Sequence, residues 1–67
     1  MTVALANLEE ARQQHAFCAR RAKISALRAK MARDPDARST WEDSQRSWEG
    51  MRDFWARDVE RQLGQPA

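Results

Sequence analysis

The apolar positions of this chain repeat with helical spacing in two blocks, separated by the polar segment Arg33-Asp34-Pro35-Asp36. The downstream block is the simpler. Trp41, Trp48 and Trp55 recur every seven residues, and Met51, Val59 and Leu63 fall on the same side of a helix turning about 100° per residue. Glu42, Arg46, Glu49, Asp53, Arg57 and Glu60 occupy the opposite side, and Phe54 lies at the edge of the apolar stripe. Gly50 sits on the polar side, where it costs about 1 kcal/mol of helix propensity relative to Ala.

The upstream block carries two apolar faces. One is built of small side chains and holds no charge: Ala4, Leu8, Ala11, His15, Cys18, Ala22, Ala26 and Ala29. The other, roughly 150° around the helix, is Phe17, Ile24, Leu27 and Met31. Arg12, Lys23 and Lys30 border this second stripe on one side, Arg21, Arg28 and Arg33 on the other, and Arg20 lies within it. Neither block shows the period-2 alternation of a strand.

Pro35 cannot continue a helix arriving from upstream, and it disfavours the α conformation at Asp34. The next helix has two candidate starts. Asp34 can cap it with Pro35 at the first helical position, or Ser39 can cap it through the S-x-x-E box that Glu42 completes. The capping box is the favoured start. The pattern therefore predicts one domain: helix 1 over about 2–33, a turn over 34–38, helix 2 over about 39–63, and a short tail 64–67 marked by Gly64 and Pro66. A short link between two long helices implies an antiparallel hairpin. Three indoles opposite a row of alanines give large-to-small complementarity. Leu8, His15, Cys18, Ala22, Trp41, Trp48, Met51, Trp55 and Val59 are accordingly expected in the hairpin core or at a dimer interface. Core filling is the simpler role for the indoles, ahead of service as platforms for bases or peptides.

Size changes the picture. A chain of 67 residues buries only about 60% of its unfolded surface, and scaffolds this small recruit a staple. Cys18 is the only cysteine and His15 the only histidine, which excludes an intrachain disulfide and a one-chain Cys/His zinc framework. A His₂Cys₂ site would need two copies meeting at an axis. Oligomerisation is the remaining staple, so the expected fold is an all-α two-helix antiparallel hairpin dimerising into a four-helix bundle. The lone thiol suits a reducing interior, the N-terminal segment lacks the basic start of a signal peptide, and no apolar run approaches a membrane span. The expected location is cytoplasmic.

Charge is divided unevenly. Residues 1–33 carry seven bases and two acids, a net of +5; residues 34–67 carry five bases and eight acids, a net of −3. The halves are expected to attract each other, and a chain of two signs is not a simple polybasic tail. No nucleophile, base and oxyanion constellation is present, and two helices make grooves rather than deep pockets. The expectation is no enzyme activity and no cofactor. The functional content lies in the second stripe of helix 1, which can serve self-association, a partner protein, nucleic-acid phosphate or an anionic membrane.

In length and topology the chain resembles the Rop-type plasmid RNA-binding hairpins, which pair into a four-helix bundle. The resemblance implies a homodimer and makes RNA or DNA binding the second reading; no functional residue carries over with it. The leading expectation is a non-enzymatic module that modulates or inhibits a larger protein partner, of the accessory kind that phages and plasmids encode. Phe17, Arg20, Arg21, Ile24, Leu27, Arg28 and Met31 form its expected partner-binding site.

Overall fold

The computed structural model describes residues 2–64, with side chains described over residues 7–64. Two helices of equal length, α1 (Thr2–Met31) and α2 (Pro35–Gly64), lie side by side in a slab whose Cα extents are 52 × 15 × 11 Å. The part of the small-residue face at Ala4 and the tail beyond Gly64, including Pro66, lie outside these described side chains.

The link is shorter than the sequence pattern suggests. α2 starts at Pro35 rather than at Ser39, and α1 ends at Met31 rather than near residue 33. The Asp34 carboxylate accepts a hydrogen bond from the Ala37 backbone N–H at 3.1 Å, and its carbonyl accepts the Arg38 N–H at 2.9 Å. Asp34 is thus the N-cap, and Pro35 takes the first helical position, where its missing N–H costs nothing. Arg38 ties the link from the other side by donating to the Ala32 carbonyl at 3.2 Å. Ser39 falls one turn inside the helix and its box with Glu42 has no terminus to cap.

The core is narrow and lies on one face of α1. Ala11, Cys18, Ala22, Ser25 and Ala29 are buried, and no residue of α2 is. Ala11, Cys18 and Ser25 step by seven, as do half-buried His15 with Ala22 and Ala29, which is the seam of an antiparallel coiled coil with small side chains at the contact. Ser25, only 1% exposed, shares a hydrogen bond of 3.2 Å with Ser44 of α2. That bond satisfies the only buried polar residue of the seam among the described side chains, and it fixes which turn of α1 faces which turn of α2.

Trp41, Trp48 and Trp55, expected in the hairpin core or at a dimer interface, are half-buried within the single hairpin. A seam lined by alanine leaves no depth for an indole between the two backbones. The rings stay partly exposed, Trp48 against Phe17 and Arg21 of α1 and Trp41 against Arg28. Leu8 and Val59 are half-buried as well. Met51, at 49% exposure, lies outside the hairpin core.

Overpacking the seam should therefore be costly and position-specific. Ala22→Leu is expected to lower stability by about 1–3 kcal/mol in urea unfolding, whereas Ala16→Leu, on the exposed side of the same helix, should stay within about 0.5 kcal/mol of wild type. Asp34→Ala should cost about 0.5–2 kcal/mol through loss of the cap.

Candidate partner-binding surface

The small-residue seam turns the rest of α1 outward. Leu27 is 57% exposed and Met31 71%, with half-buried Ile24 beside them. Arg20, Lys23 and Lys30 surround this stripe and are exposed. The two faces of α1 separate in part: Ala11, Ala22 and Ala29 are buried on the seam and Leu27 and Met31 are exposed, while Phe17 of the second stripe packs on Trp48 of α2.

Three of the expected partner-binding residues are engaged within the hairpin. The Phe17 ring, still 47% exposed, meets Trp48 edge-to-face with centroids 5.7 Å apart. Arg21 stands over the same indole at 5.5 Å, and Arg28 stands over Trp41 at 4.8 Å. Each guanidinium finds the negative face of a ring that the seam leaves half in water. The pairs repeat, because Arg21 and Arg28 are seven residues apart on α1, as are Trp48 and Trp41 on α2 running the other way. One more heptad along, the α1 position is Gln14, and Trp55 packs edge-to-face on its neighbour Phe54 at 5.2 Å instead.

Charge does not hold the helices together. Every ion pair among the described residues joins side chains within α2: Arg46 with Asp43, Arg61 with Asp58, and Arg52 with Asp53 at 3.0 Å. The expected attraction between a basic half and an acidic half is corrected accordingly. Asp43, Asp53 and Asp58 of α2 are matched by arginines one turn away or adjacent, and the buried positions facing α2 are given to alanines, Cys18 and Ser25. No base of α1 is paired with a carboxylate among the described residues, which leaves α1 a cationic surface with an apolar stripe in it.

On the other side of the seam, Arg12 and His15 face Ala56 and Val59 across an open groove of about 300 Å³. Cys18 is buried and carries no disulfide. No cluster of three metal-ligating side chains occurs among the described residues. No helix among them is long and apolar enough to cross a membrane.

Comparison with family models, curated proteins and solved structures finds no significant match to this chain.

The stacked arginines can be separated from the free ones by a double-mutant cycle. Arg28→Gln is expected to cost about 0.5–1 kcal/mol in thermal unfolding, and the cost should vanish in a Trp41→Leu background. Lys30→Gln, with no ring beneath it, should be near neutral in both.

Proposed function

We propose that the protein is a small non-enzymatic binding module that works as a homodimer of hairpins and modulates a larger protein partner. The observation that carries this reading is the outer face of α1. Leu27 and Met31 are more than half exposed, Ile24 is beside them, and unpaired bases surround all three. An apolar stripe on a helix, with anchors at i, i+3 and i+7, is the form in which helices insert into or line a protein groove. Arg20, Lys23 and Lys30 add contacts to carboxylates on the partner, where Arg in particular makes bidentate pairs. Phe17 closes the stripe at one end, with its ring held by Trp48. Arg21 and Arg28 contribute as ring-stacked charges at the border, with less freedom to reorient than Arg20.

Nucleic-acid binding in the manner of the Rop-type hairpins is the second reading, favoured by the same unpaired bases of α1. Phosphate contacts weaken steeply with salt, whereas an apolar anchor does not. Immobilised protein should capture its partner from lysate of the native cell after nuclease treatment and at about 0.3 M salt, where screening is stronger than at physiological ionic strength with its Debye length of about 8 Å. Leu27→Asp should abolish the capture while leaving helix content unchanged. Capture that survives Leu27→Asp, or that disappears with nuclease, contradicts the proposal; loss with nuclease supports the second reading.

A further inference from the structure

We infer that a second copy of the chain covers the face formed by Met51 and Phe54 of α2 together with the exposed edges of Phe17, Trp48 and Trp55. This rests on the dimer in the reading above and assigns it a surface distinct from the partner stripe.

The surface area calls for an occupant of this size. The chain exposes 5415 Å², whereas a folded monomer of this mass exposes about 4,400 Å². The excess of about 1,000 Å² is close to the ~800 Å² that each partner loses in a standard protein interface. The radius of gyration makes the same point: 15.4 Å here, against about 11 Å for a compact domain of this length. The slab is one helix thick, and a stable domain needs a second layer against its apolar face.

Two apolar faces compete for that layer, and the aromatic one fits a second copy better. Phe17 is 47% exposed, Met51 49% and Phe54 55%, and the half-buried rings of Trp48 and Trp55 run between them. The arginine caps stop short of this end: Trp41 and Trp48 carry Arg28 and Arg21, while the Trp55 rung has Gln14. Of the charged groups nearest Met51 and Phe54 on α2, Asp53 is paired with Arg52 and Asp58 with Arg61, and Arg57 is the one cation there without an ion pair among the described residues, so two copies bring fewer like charges together here than on the α1 stripe. The α1 stripe, ringed by unpaired bases, would bring like charges together in a two-fold pair.

Gly50 supplies an independent sign. It lies one turn before Phe54, is exposed, and a Cβ there would meet nothing within 4 Å. Its cost in helix propensity has no compensation inside the hairpin. A helix of a second copy passing close over Gly50 and Met51 gives it one.

Sedimentation equilibrium tests this on the full chain, with circular dichroism reporting helix content. Wild type should sediment at twice the chain mass. Phe54→Glu and Gly50→Lys should each weaken the dimer by more than about 100-fold, since a charge would be buried unpaired. Gly50→Lys points into open space and raises helix propensity, so it keeps its fold. Leu27→Asp should remain a dimer. A helical Phe54→Glu or Gly50→Lys that stays dimeric, or a Leu27→Asp that becomes monomeric, overturns the assignment of this face and leaves the dimer standing. A wild-type mass other than two chains overturns the dimer itself, and the face with it.

Discussion

The helices of this protein meet through side chains no larger than cysteine at the buried positions of α1. Ala11, Cys18, Ala22, Ser25 and Ala29 form a row that a second helix can approach closely, and their small volume decides where every larger side chain goes. An alanine seam buries little apolar area per turn. At roughly 25 cal/mol per Å² such a seam cannot offset the ordering of two 30-residue helices by itself. The half-buried rings beside it are therefore part of the fold. Phe17 and Arg21 on Trp48, and Arg28 on Trp41, add contacts without deepening the core.

The same constraint produces the surfaces on which the functional reading rests. With α1 committed to its small face, Leu27 and Met31 point away from α2, and with the indoles lying across the seam, Met51 and Phe54 sit beyond them on the outside. One hairpin thus presents an apolar stripe among bases with no ion pair among the described residues, and an aromatic patch beside the paired Asp53 and Asp58. The first suits a partner with acidic groups around an apolar groove. The second suits a copy of itself.

Much of this was legible in the residue pattern because the two faces of α1 differ in kind. Alanines in one row and Ile24, Leu27 and Met31 in another mark which side of α1 is the seam, while Phe17 at the end of the second row reaches Trp48. Ser25 does not announce itself as core because it is polar; only its place seven residues after Cys18 and fourteen after Ala11 marks it as seam. The stacked arginines were hidden for a similar reason. Arg21 and Arg28 read as a solvated border until the matching heptad of Trp41 and Trp48 is laid antiparallel beside them. At the link two capping signals competed, and Asp34 prevailed over Ser39 because a cap placed earlier adds a full turn of α2 and leaves no backbone idle between the helices. The depth of the tryptophans was not legible, since it depends on how close the backbones come rather than on which side the rings lie.

The small-face packing can be tested most directly by isotope-edited NOE spectroscopy of the indole rings. The account predicts cross-peaks from Trp48 to the Phe17 ring and the Arg21 side chain, from Trp41 to Arg28, and between the Cβ protons of Ser25 and Ser44. Cross-peaks from the indoles to the methyl groups of Leu27 and Met31, with the Ala22 and Ala29 methyls open to a paramagnetic probe in solvent, would contradict it.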